Sequence, residues 1–158
     1  MNETKTKKKT IFVQGPILPE KISSMISMHT NKHDIGAHNI FLGQVRADKK
    51  SGQRVNFIEY TAYEAMAEKA YAEITETLFG KYQLTCLHVM HSLGQVPAGA
   101  LSLVVFVSSV HRNDCTKACI ELVERIKKDL PVWGKEVFDD DSSQWKRNII
   151  VKSNLCIS

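Results

Sequence analysis

Apolar residues recur at helical spacing in three stretches, separated by short alternating or continuous apolar blocks. Ile22, Met25, Ile26 and His29 follow Pro16 and Pro19 and predict an early helix whose apolar face packs inward. Met66, Ala70, Ile74 and Leu78 place an amphipathic helix over residues 63–79, with Gly80 as its C-cap. Cys115, Ala118, Cys119, Leu122, Val123 and Ile126 define a third helix. It is capped at Asn113 or Asp114 and stopped by Pro131, with Lys127 and Lys128 in its last turn.

Between the helices, residues 11–14, 34–45, 55–60, 85–92 and 101–109 read as strands, the last of them a fully buried apolar run. In 55–60 the alternation is imperfect, so the pattern leaves the buried face open. Residues 47–53 (ADKKSGQ) read as a polar, mobile loop. Residues 94–99 (GQVPAG) read as the connection between two antiparallel neighbours. The resulting order, β-α-β-β-α-β-β-α followed by short strands, predicts an α+β fold with helices packed on a mainly antiparallel sheet. It contains no internal repeat and no Gly-rich phosphate loop.

The chain has 158 residues, 43% hydrophobic and 24% charged, with eight glycines and four prolines. That is the length and make-up of one ordinary globular domain, and it argues against disordered, collagenous and coiled-coil classes. The expected division is a disordered basic tail over 1–10, one domain over 11–150 and a C-terminal tail over 151–158. The net charge of +4 is misleading, because four lysines against Glu3 in residues 1–10 contribute +3 of it. The body is nearly neutral, which disfavours nucleic-acid binding. The apolar run 100–110 is broken by serines and is far shorter than the ~20 residues of a membrane span. The first residues lack the apolar core of a secretory signal, so a cytoplasmic location is expected. Cys86, Cys115, Cys119 and Cys156 lack CxxC spacing and are expected to be reduced thiols, not a disulfide framework or zinc ribbon.

Candidate chemistry is of two kinds. His111, Cys115 and Cys119 fall at i, i+4 and i+8, a helical metal-ligand spacing, but the two thiols belong to the apolar stripe and no familiar fourth ligand follows. No metal is expected there. His88 and His91, three apart on a strand, point to opposite faces and cannot ligate jointly. A more coherent group is Arg46 after a strand, His111 and Arg112 where a strand yields to a helix, and Lys127 with Lys135 around Pro131 and Trp133. Cations gathered at strand ends suit an anionic substrate or a carboxylate tail. Neighbouring cations and partial burial also make a lysine a better acid, base or nucleophile.

Five segments in order resemble the large, catalytic subunit of molybdopterin synthase: 36–46 (GAHNIFLGQVR), 59–67 (EYTAYEAMA), 91–94 (HSLG) with Gly99, 108–112 (SSVHR) and 127–136 (KKDLPVWGKE). The resemblance spans roughly residues 36–145. It implies an α/β hammerhead fold and a homodimer within a heterotetramer. Two copies of a small ubiquitin-like sulfur carrier complete the assembly, each with a C-terminal Gly-Gly thiocarboxylate. The activity implied is sulfur transfer to cyclic pyranopterin monophosphate, making molybdopterin, with no metal or other cofactor. By motif, Lys127 is the helix-end lysine assigned to acid–base or covalent assistance. Arg46, His111, Arg112 and Lys128 would bind anionic groups, and Phe41, Met66 and Pro131 would shape the pocket wall.

The chain departs from the family pattern at Gly134, where a second active-site lysine commonly follows the tryptophan. A one-residue shift would let Lys135 supply that ammonium. Ser92 stands where arginine is frequent, and Lys146 and Arg147 are the nearest basic residues beyond Trp145. The departure keeps a second reading open, a catalytically weakened homologue acting as a carrier-binding scaffold.

Overall fold

In a computed structural model, residues 10–146 are described. Residues 1–9 of the expected tail 1–10, the whole of the expected tail 151–158 with Cys156, and Arg147 lie outside the described residues. The elements are β1 (Phe12–Gln14), α1 (Pro19–Met28), β2 (Ala37–Gln44), β3 (Lys49–Lys50), β4 (Gln53–Ala62), α2 (Glu64–Lys81), β5 (Leu84–Pro97), β6 (Leu101–Ser109), α3 (Arg112–Asp129), β7 (Val132–Phe138) and β8 (Ser143–Trp145). The eight strands form one sheet in the order β2-β6-β5-β4-β7-β8, with β1 paired to β5 and β3 to β4. Every pairing is antiparallel except that of β1 with β5. The expected α+β fold with a mainly antiparallel sheet is therefore what the chain forms.

β6 is buried along nearly its whole length because β2 and β5 flank it and α3 covers one face. Leu103, Val105 and Val107 of β6 meet Leu122, Cys119 and Ala118 of α3 and Leu78 of α2 in the main core. Phe106, with no exposed surface, faces the other side, where α1 packs through Met25 and His29. Ile26 of α1 is exposed, so the helix is anchored more narrowly than its four apolar positions suggest. A second, smaller core of Val45, Val55, Ile58, Val96 and Phe138 lies where β4 meets β5 and β7.

Several boundaries differ from the sequence pattern for identifiable reasons. Residues 94–97 are not a connection: β5 continues through them and pairs with β4, Tyr60 opposite Gly94 and Phe57 opposite Pro97. Gly94, at φ +77°, bends the strand, and Pro97 falls at its end, where a missing N–H removes no ladder bond. The actual hairpin loop is 98–100. In β4 a register shift between Val55 and Phe57 allows Val55 and Ile58, three apart, both to be buried. That bulge explains the imperfect alternation. The loop 47–53 is a small hairpin turned at Ser51 and Gly52, both at positive φ.

The N-cap of α3 is His111, two residues before Asn113, while the Asp114 carboxylate accepts the Gln83 backbone N–H at 2.8 Å. Gly80 lies inside α2, which ends at Lys81 with Tyr82 as C-cap. Its position is open, with nothing within 4 Å of an added Cβ, whereas a Cβ at Gly36 would lie 2.1 Å from the Val110 carbonyl oxygen.

These two glycines predict opposite responses to the same substitution. Gly80→Ala should stabilise the protein by about 0.5–1 kcal/mol through helix propensity. Gly36→Ala should destabilise it by about 1–3 kcal/mol through displaced backbone. Urea unfolding midpoints of the two variants against the parent check both signs.

Candidate functional site

A cavity of about 250 Å³ opens where the C-terminal end of α3 meets β7, the end of β2 and the segment after β8. Its floor is Tyr60 and His91, and Ser102, Gln44 and Gly134 add to the wall. Lys127, Lys128 and Lys146 line it, and among the described residues no carboxylate does. Lys127 and Lys128 are held in the last turn of α3, where the helix dipole favours positive charge. The Lys127 ammonium sits 5.7 Å from the centre of the Phe41 ring, within cation–π range.

The floor is a polar network. Tyr60 donates from its hydroxyl to Ser102 Oγ at 3.2 Å, and Ser102 donates to the Gly43 carbonyl at 3.4 Å. Burial raises the Tyr60 pKa above its ordinary value, a shift opposed by the Ser102 bond and reinforced by the Glu136 charge. Glu136 is itself buried and bound by Lys50 Nζ at 2.7 Å. His91 donates from Nδ1 to the Ser92 carbonyl at 2.8 Å, leaving Nε2 as the acceptor, and its ring stands edge-on to Tyr60 at 5.2 Å. Burial lowers its pKa below 6.5, and the Lys127 charge lowers it further. The Ser92 hydroxyl beside it is buried without a partner among the described residues.

Gly134 faces the cavity because β7 pairs with β4 in a register that sets Gly134 opposite Tyr60 and Lys135 opposite Glu59. Side chains alternate along a strand, so Lys135 lies on the other face, its ammonium 3.8 Å from Glu59. The space above Gly134 is tight, since an added Cβ would meet Ile58 at 3.0 Å and Tyr60 at 3.3 Å. Lys146 is the neighbour that fills this corner. Its backbone N–H donates to the Gly134 carbonyl at 2.7 Å, and its side chain lines the cavity. Crowding by protein and the nearby Lys127 and Arg46 charges lower its pKa, with Glu136 and Asp48 acting the other way.

The remaining sequence-derived residues are dispersed. Arg46 lies at the rim, exposed and paired with Asp48 at 3.1 Å. Phe41 stands beside Lys127, while Pro131 forms the α3–β7 link and accepts the Tyr63 N–H at 3.0 Å; neither is among the lining residues, which there are Leu130, Val132 and Trp133. Met66 is exposed on α2 and does not line the cavity. His111 and Arg112 are exposed at the start of α3; fifteen residues of helix put Arg112 about 22 Å from Lys127. Cys115 and Cys119 are core residues. Cys115 donates to the Val107 carbonyl at 3.2 Å, and burial raises both thiol pKa values, that of Cys119 to about 11. They share no site with His111. Tyr60, His91 and Ser102 were missed by sequence reasoning, because only the bend of β5 brings them under Lys127.

A family model described as MoaE protein matches residues 13–129. The molybdopterin synthase catalytic subunit of Oryza sativa subsp. indica is 40% identical over 120 residues, covering 76% of this chain and 61% of that protein. The molybdopterin synthase catalytic subunit of Bos taurus is 32% identical over 150 residues, 94% of this chain and 77% of that one. The solved structure of molybdopterin synthase from Staphylococcus aureus matches with a TM-score of 0.76 at 32% identity, covering 88% of this chain and 97% of that chain. The present chain thus spans less than two thirds of the rice relative's length.

Burial and the Lys127 charge predict that His91 holds its proton less tightly in the folded protein, with a pKa lowered from its ordinary 6.5. As pH falls from 6.5 toward that lowered value, the unfolded chain takes up the His91 proton first, so stability falls. In Lys127→Ala the His91 pKa should rise toward 6.5, read as an imidazole NMR titration.

Proposed function

The chain belongs to the MoaE family, and from that premise we propose that it is the catalytic subunit of a molybdopterin synthase. It would convert cyclic pyranopterin monophosphate to molybdopterin with sulfur from the C-terminal thiocarboxylate of a small ubiquitin-like carrier. The observation that carries this reading is the cavity lined, among the described residues, by three lysines and no carboxylate. Both proposed reactants, a cyclic phosphate and a thiocarboxylate, are anions, and ammonium groups in a confined site attract both and oppose their mutual repulsion.

Lys127 is the proposed catalytic residue, giving acid–base or covalent assistance as the carrier's C–S bond breaks, sulfur takes the place of oxygen on a substrate carbon, and oxygen takes the place of sulfur on the carrier, which leaves as a carboxylate. Lys128 and the rim residue Arg46 would hold anionic groups, with Phe41 and Pro131 supporting the wall indirectly, through Lys127 and through the flanking Leu130 and Val132. Met66, exposed on α2, would contribute to that wall only through an assembled complex. For the second ammonium, Lys146 is favoured over Lys135: it lines the cavity beside Gly134, whereas Lys135 is paired with Glu59 on the opposite face. The lowered pKa of Lys146 suits it to proton transfer.

We propose a homodimer for a geometric reason. His111 and Arg112 lie about 22 Å from Lys127 along α3, so they join a Lys127 site only from a second copy. The cavity of about 250 Å³ is also below the roughly 300–1,000 Å³ usual for ligand sites, as expected of a site completed by another subunit. With two carriers the assembly would be a heterotetramer. The reading needs no cofactor. Its compartment is the cytoplasm, where Cys115 and Cys119 would stay the free thiols they are in the structure. No described helix is long and apolar enough to cross a membrane.

Dithiolene product formed from cyclic pyranopterin monophosphate and thiocarboxylated carrier tests the reading. Lys127→Ala should lose at least about 10²-fold in turnover while retaining carrier binding. Lys146→Ala should lose more than Lys135→Ala; the reverse order would assign the second ammonium to Lys135. Folded, carrier-binding parent protein that makes no product would support the scaffold reading instead.

A further inference from the structure

On the face of β5 opposite His91, a second group of chemistry-bearing side chains converges. Cys86 and His88 are two residues apart on β5 and share that face, and His29, the C-cap residue of α1, packs against them. His29 Nε2 lies 3.2 Å from His88 Nε2. One donor atom from each of His29, Cys86 and His88 lies within 4.8 Å of the others. His29 and Cys86 are only 5% and 7% exposed, and His88 is half-buried.

We propose that His29, Cys86 and His88 form a binding site for a borderline-soft divalent cation of the zinc class, with solvent as the fourth ligand. Three features support it. The His29 ring is oriented and its tautomer is set, because Nδ1 donates to the Met25 carbonyl at 2.6 Å and so leaves Nε2 as the lone-pair atom. A metal-binding histidine typically uses its second nitrogen in this way. The 3.2 Å separation between the two Nε2 atoms is close to the roughly 3.3 Å between nitrogens of a tetrahedral zinc centre with ~2.0 Å bonds. Sulfur at zinc would sit about 3.5 Å from each nitrogen, so from within 4.8 Å the Cys86 side chain needs a movement of at most about 1.3 Å.

In the structure the Cys86 sulfur accepts from Lys32 Nζ at 2.8 Å, and His88 and His29 share one proton-mediated contact. Metal entry replaces both. Lys32 is exposed and its flexible side chain can withdraw into solvent; the proton between the rings and the Cys86 thiol proton pass to solvent, His88 takes one proton back at Nδ1, and metal entry releases one proton net. The walls are Phe106 and His38, whose rings pack 5.1 and 6.0 Å from His29. Two nitrogens and one sulfur, without a carboxylate, select the zinc class over magnesium or calcium. The site would clamp the end of α1, otherwise held by few buried side chains, to β5.

Cobalt(II) added to the full-length, chelator-treated protein provides the test. Expected are one equivalent bound per chain, a thiolate-to-cobalt charge-transfer band, intense visible bands of a tetrahedral centre, and their loss when zinc is added. Zinc should also raise the thermal unfolding midpoint. Cys86→Ser should abolish the charge-transfer band, and His88→Ala should weaken binding at least tenfold, while Cys156→Ser and His111→Ala bind like the parent. Absence of saturable one-to-one binding in the parent, or a spectrum without the thiolate band, overturns the proposal whatever the variants do. Parent-like binding by folded Cys86→Ser and His88→Ala overturns it equally.

Discussion

The structure depends on one long strand that serves two cores. Over Leu84–His91, β5 pairs with β6 and closes the main core beneath α2 and α3; beyond the bend at Gly94 it pairs with β4 and closes the smaller core around Val96. A straight strand of 14 residues cannot satisfy both pairings, and a glycine at φ +77° meets the constraint without Cβ strain. The cavity is a by-product of that bend. His91 lies just before it and Tyr60 directly across from it, so the floor of the site is the seam between the two halves.

Charge is distributed across that seam in a consistent way. Acidic groups near the cavity are held away from its lining: Glu136 is buried against Lys50, Asp48 meets Arg46 at the rim, and Glu59 meets Lys135 behind the sheet. The cations left lining the cavity, Lys127, Lys128 and Lys146, approach one another with only screened repulsion, because all three are exposed at the mouth. An anionic guest would relieve that repulsion on entry. Neutral His91 beneath them keeps the floor from adding a further positive charge near neutral pH.

Much of this was legible from pattern alone. Helical spacing located α1, α2 and α3, and the continuous apolar block at 101–109 located the central strand, because burial on both faces leaves no alternation to read. Local rules failed where tertiary structure overrode them. Glycine and proline at 94–97 read as a turn but belong to a bent strand, and the bulge in β4 scrambled its period. Cationic residues were recognisable as a class, yet only the β4–β7 register shows that Gly134 and not Lys135 faces the cavity. The His29, Cys86 and His88 group had no sequence spacing to announce it, since its members come from a helix end and a strand 57 to 59 residues apart.

The pairing of β4 with β7 has a consequence for the birth of the chain. β4 ends at Ala62, and its second neighbour begins at Val132, after α2, β5, β6 and α3 have been made. At typical synthesis rates of about 5–20 residues per second, those 70 residues take roughly 4–14 s. Throughout that interval the nascent chain carries an unpaired strand edge flanked by Val55 and Ile58, the kind of surface that recruits foreign strands. The bulge in that same edge, between Val55 and Phe57, breaks its regular ladder and makes it a poor template for such partners.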